Sequence, residues 1–206
     1  MNPLKSVLGT IISGGVLAII LIFVIKGMTT PEGTEMAIKV SPLDFWRWAH
    51  VLAGIVWIGL LYYFNFVQVP AMPAAKADGT AAGITKHIAP LALLWFRWAA
   101  LATWLTGMLA LEALHTTEGS GVVAAFTLAQ GYQIIGIGAW LGTIMLFNVW
   151  VLIWPNQKKI LGMVEASDEA KAKAAFVALM ASRTNTMLSI PMILCMVGSH
   201  THQLPI

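Results

Sequence analysis

The chain has 206 residues, 58% of them hydrophobic and only 10% charged, with a mean hydropathy of +0.79. A soluble domain carries about 25% charged residues, so there are too few charges to cover a water-facing surface, and the class is integral membrane protein. The net charge of +3 and pI near 9.1 suit lysines at a membrane surface and give no case for nucleic acid.

Only a helical bundle or a closed barrel satisfies backbone polar groups in lipid. The apolar runs here are continuous rather than alternating, which predicts an all-α bundle of about five transmembrane helices in one membrane domain. The uncharged run over 6–25 is one bilayer thickness at about 1.5 Å per residue. No small-residue cleavage site follows it, so it is expected to be retained as the first span. A polar loop with Pro31, Gly33 and Pro42 leads into a second helix over 45–69, expected to end at Pro70 and Pro73. A loop with Lys76, Asp78, Gly79 and Lys86 precedes a third helix over 89–114. A Gly-Ser turn at 118–121 opens the fourth. The uncharged stretch from Gly119 to Gln157 is too long for one perpendicular span and too short for two, so a single tilted helix over 124–154 is expected, ending at Pro155 and Lys158-Lys159. Ser167 is a good N-cap for an amphipathic segment over 167–181. The last span is 185–199, with Pro191 as a kink.

Orientation follows from lysine and arginine in the short loops. The 155–183 connection carries Lys158, Lys159, Lys171, Lys173 and Arg183, and the 115–122 turn carries none. This puts the N-terminus inside and the C-terminus outside, although Lys26 and Lys39 fall in an outer loop with Glu32, Glu35 and Asp44.

On this topology His50, His115, His200 and His202 all lie near the outer face, and His87 near the inner. His50 stands inside FWRWAHVLAGIVWIG (45–59). One reading is a core histidine bonded to a carbonyl, or an interfacial residue among Trp46 and Trp48. The functional reading is an axial ligand of haem b, since imidazole is a common haem ligand and bundle cores build cofactor sites from facing helices. Gly54, one turn along, would leave room for a porphyrin, and Arg47, one turn the other way, would pair with a propionate. His200 and His202 in GSHTH offer a second axial ligand. With His115 they also admit a copper or zinc site without porphyrin. Arg97 in LLWFRWAA is an intramembrane arginine that either pairs or snorkels. Asn65, Gln68 and Asn148 are candidates for polar contacts between helices, Gly138 and Gly142 for close packing, and Cys195 for a packed thiol. No CxxCH haem attachment, phosphate loop or Ser-His-Asp arrangement is present.

Several stretches resemble the membrane domain of bacterial membrane-bound urate hydroxylases, the urate oxidase N-terminal family. They are RWAHVLAGIVWIG (47–59), YYFNF (62–66), WFRWAALATWLTG (95–107), GTIMLFNVWVLIWPNQKKI (142–160) and RTNTMLSIPMILCMVGSH (183–200). The resemblance carries over to Arg47, His50, Trp57, Gly59, Asn148, Trp150, Pro155, Asn185, Pro191 and His200. Such proteins carry a cytochrome c after a longer membrane domain, whereas this chain reads to Ile206 with no c-type haem motif. A histidine of the family pattern is Leu94 here, and another is Arg183. The His-x-x-x-Gly and Trp-x-Gly pattern is also loosely similar to copper-resistance D proteins and to the membrane haem protein that oxidises protoporphyrinogen.

The expectation is a haem b electron-transfer protein of the bacterial inner membrane, with the haem near the periplasmic face on His50 and His200. It would work with a cytochrome c or a respiratory complex, in lipid, as one chain or a homo-oligomer. Whether it is itself an oxidoreductase is left open. Two other readings stand beside it: a cofactor-free accessory subunit of a membrane complex, and a copper or zinc protein.

Overall fold

The computed structural model describes residues 2–31, 40–114 and 119–199. It divides the chain into two compact units, Met1–Ser41 and Pro42–Ile206. Among the described residues every regular element is helical.

The first unit is a 3-10 turn at Pro3–Lys5 followed by α1, Val7–Thr29. The Ser6 hydroxyl caps α1 by accepting the Gly9 N–H at 3.0 Å. None of its residues is buried, and a helix apolar on all sides is built to be surrounded by lipid. The helix runs a turn beyond the expected end. The Thr29 and Thr30 hydroxyls donate back to the Ile25 and Lys26 carbonyls at 3.0 and 2.7 Å, filling acceptors that the helix end leaves open.

The second unit holds α2 (Pro42–Ala77), α3 (Ala81–Glu112), a short α4 (Gly121–Phe126), α5 (Gln133–Ile160) and α6 (Asp168–Gly198). Pro70 and Pro155 do not end their helices as expected. α2, α3 and α5 each contain one π-helical turn, at Phe64–Gln68, Ile84–Ile88 and Asn148–Ile153. In each, the residue just before a proline donates its N–H five residues back: Val69 to Phe64, Ala89 to Ile84, Trp154 to Val149. A proline ring clashes with the carbonyl four residues back and offers no N–H. Widening the turn by one residue moves that carbonyl aside, so the helix passes the proline instead of breaking.

The expected single helix over 124–154 is in fact two. α4 ends at Phe126, and a turn with positive φ at Leu128 (55°) and Gly131 (85°) leads into α5. The break is held from α5: the Trp140 indole donates to the Phe126 carbonyl at 3.0 Å. Gly136 packs so close to the Ala125 backbone that a Cβ would collide with it. Conversely, the two segments expected at 167–181 and 185–199 are one helix of 31 residues running through Pro191. Ser167 caps it, accepting the Ala170 N–H at 3.2 Å.

Four helices, α1, α2, α3 and α5, are long and apolar enough to cross a membrane. α2, α3, α5 and α6 pack as neighbouring antiparallel helices. His50 of α2 meets Thr103 of α3, and Phe64 meets Phe96. Trp104 and Trp98 of α3 meet Thr143 and Trp150 of α5, and Asn148 of α5 meets Asn185 of α6. Trp57, Leu61, Phe64, Phe96, Ala100, Met145, Val149 and Met192 form the core. The outward surface stays apolar, for example at Ile55, Trp98 and Ile190, as lipid requires.

Candidate functional site

Two groups of polar side chains lie inside the second unit. The first surrounds His50, in the third turn of α2. Its Nδ1 lies 2.8 Å from the Thr103 carbonyl oxygen on α3. An imidazole meets a carbonyl oxygen through an N–H, so Nδ1 carries the hydrogen and Nε2 keeps a lone pair. The ring lies against Gly107, where a Cβ would stand 2.9 Å from Nδ1 and 3.0 Å from Cε1. Gly54 also faces α3: a Cβ there would meet Thr103 Cγ2 at 3.7 Å, an ordinary contact. Arg47 pairs with Asp44, Nη1 to Oδ1 at 3.5 Å, with both side chains well exposed. Trp57, two turns along the same face of α2 as His50, is 2% exposed, and its indole N–H has no hydrogen-bond partner among the described residues.

His115, His200 and His202 lie outside the described residues. His87 is exposed in the π turn of α3. Among the described residues no three His, Cys, Asp or Glu side chains gather into a metal-binding group.

The second group is a seam of uncharged polar residues about 22 Å further along α2, taking 1.5 Å per residue. Asn148 donates its amide to Asn185 Oδ1 at 2.8 Å, and Asn185 donates to the Met145 carbonyl at 2.9 Å. Asn65 donates to the Leu61 carbonyl at 2.9 Å and to Ser182 Oγ at 2.8 Å. The Tyr62 and Ser189 hydroxyls share a hydrogen bond at 2.9 Å, and Ser189 donates to the Thr186 carbonyl at 2.7 Å. Asn185 and Ser189 are fully buried. These bonds link α2, α5 and α6 where apolar surface gives no net drive to associate, because lipid tails are as apolar as leucine. Arg97 belongs to neither group: its guanidinium stacks on the Trp154 ring, 3.7 Å from the centroid, which meets the cost of an arginine among apolar helices by a cation–π contact. Gly138 packs on Cys195 and Met192 of α6, as expected of a small residue at a helix crossing, while Gly142 has open space where its Cβ would be.

Sequence reading missed Thr103, Gly107, Ser182 and Ser189. Thr103 acts through its backbone carbonyl, which leaves no mark in the sequence. Gly107 did leave one, since a glycine inside an otherwise apolar helix costs about 1 kcal/mol against alanine and implies a packing reason.

No curated protein and no solved structure matches the chain. The model of the urate oxidase N-terminal family matches residues 121–204, which takes in α4, α5 and α6 but not the His50 helix. The resemblance read from GTIMLFNVWVLIWPNQKKI and RTNTMLSIPMILCMVGSH falls inside that match, so the C-terminal part of the chain, residues 121–204, is similar to the urate oxidase N-terminal family.

Proposed function

We propose that this membrane protein binds haem b through His50 and serves in electron transfer. The observation that carries the reading is the hydrogen bond from His50 Nδ1 to the Thr103 carbonyl. Histidines that ligate a metal through one nitrogen almost always donate from the other to a carbonyl, carboxylate or water. Here the donation leaves Nε2 as the ligand atom. The unpartnered indole N–H of Trp57 is a further donor that a bound group would satisfy. His50 and His200 would hold the haem iron, with His202 and His115 as alternatives to His200. Arg47 would hold a propionate in exchange for Asp44, and Gly54 would border the porphyrin. When bound, haem supplies reversible one-electron chemistry. The chain's own residues orient the imidazole and, through the apolar helices around it, limit water. Electrons would pass to or from a cytochrome c or a respiratory complex.

The same reading takes α6 as a fifth crossing, puts the N-terminus inside and the C-terminus outside, and places the protein in a bacterial inner membrane with the haem near the periplasmic face. Alkaline phosphatase fused after Ile206 would be active on that topology and inactive on the inverted one.

A cofactor-free accessory subunit is the second reading. The His50–Thr103 bond also favours it, because that one contact would suffice for a half-buried histidine that binds nothing. The two part on pigment. The full chain, purified in detergent from haem-sufficient cells, should show a Soret band that is lost in His50→Ala. It should also be lost in only one of His200→Ala, His202→Ala and His115→Ala, which names the second ligand. A colourless protein that co-purifies with a larger assembly would replace haem with the accessory reading, and bound copper or zinc without a Soret band would replace it with a simple metal site.

A further inference from the structure

Resting on the haem reading, we propose that the Thr103–Gly107 turn of α3 is a seat for the His50 ring that holds it as the Nδ1–H tautomer and presents Nε2 as the ligating atom. Three features of the turn serve this one ring. The Thr103 carbonyl faces α2 and receives Nδ1 at 2.8 Å. The Thr103 hydroxyl turns back to the Ala99 carbonyl at 2.7 Å, so it does not compete for the imidazole. Gly107 leaves the hollow in which the ring lies, since any side chain there would begin 2.9 Å from Nδ1, and real Cβ contacts that short require something to move. Gly142, also inside a transmembrane helix, offers the contrast: a Cβ there would meet nothing within 4 Å.

Thr106 adds a control on the strength of the bond. Its single hydroxyl hydrogen is shared between the Ala102 carbonyl at 2.7 Å and the same Thr103 carbonyl at 3.1 Å. A donor shared on one carbonyl oxygen weakens the pull of that oxygen on Nδ1–H. Removing it would make His50 a more basic ligand, which favours ferric iron and lowers the reduction potential. Gly107 and Thr106 are thus positioning residues, acting on a bound group only through His50.

The test uses the full chain in detergent, labelled with 15N-histidine. In the haem-free protein, NMR should show His50, assigned by its loss in His50→Ala, as the Nδ1–H tautomer. Gly107→Ala should lose that signature and weaken haem binding by ten- to a hundredfold, the usual cost of disturbing an outer-shell partner. Gly142→Ala should change neither. If Gly107→Ala does not fold, Thr106→Val carries the test: it should keep haem and lower the potential. An Nε2–H tautomer in the wild type, or full haem affinity in a folded Gly107→Ala, would overturn the seat. So would an unchanged potential in Thr106→Val where Gly107→Ala does not fold. A wild type that shows Nδ1–H but binds no haem would remove the haem reading and leave the seat standing, so the two failures are told apart.

Discussion

The two polar groups inside the bundle are opposite in kind. In the seam, Asn148, Asn185 and Asn65 give their amide hydrogens to one another's elements and to helix carbonyls. At the other end, His50 makes one bond through one nitrogen and keeps the second nitrogen's lone pair. Both are polar groups in an apolar surrounding, where an unpaired group is costly. The seam fastens α2, α5 and α6 together even though Asn65 Oδ1 is buried there without a partner among the described residues, whereas His50 has a ring nitrogen free to serve as a metal ligand.

The largest expected effect is at His50, where His50→Ala should remove bound haem outright, seen as loss of the Soret band. The stability cost should be small, because the Thr103 carbonyl stays within its own helix. The opposite outcome is expected at Asn185. Asn185→Ala strips a partner from Asn148 and leaves a buried amide unpaired, so it should cost about 1–3 kcal/mol of stability, read as a lowered unfolding midpoint in detergent, while haem per folded chain stays unchanged. If Asn185→Ala instead bleaches the protein without destabilising it, the division between fastening and site fails. Smaller again, Arg97→Ala should cost about 1 kcal/mol through the lost stack on Trp154. Asp44→Asn should be the mildest in stability, within about 0.5 kcal/mol for a pair this exposed. It would nonetheless free Arg47, and a tighter hold on haem in that variant would support Arg47 as a propionate partner.

Much of this arrangement can be read in the sequence, for physical reasons that also mark where reading fails. Composition decides the class, because charge scarce enough to be fatal in water is required in lipid. His50 stands out as a lone imidazole in an apolar run. The helix ends went astray at Pro70 and Pro155 because a proline breaks only the α register, and a π turn absorbs it. Val69 and Trp154, each bonded five residues back, show this at both sites. The break between α4 and α5 was missed because Leu128 takes a positive φ that no leucine advertises. Thr103 and Gly107 come to His50 through the pairing of α2 with α3, 53 residues apart for the bonded pair, and pairing at that range is a property of packing rather than of local pattern.

The central claim is that His50 is a haem ligand. The most direct measurement is a dithionite-reduced minus air-oxidised absorption spectrum of the detergent-purified chain, with a pyridine haemochrome to count haem b. The account predicts Soret and α bands at about one haem per chain in the wild type, and their absence in His50→Ala. A flat difference spectrum from wild-type protein made with ample haem would contradict it.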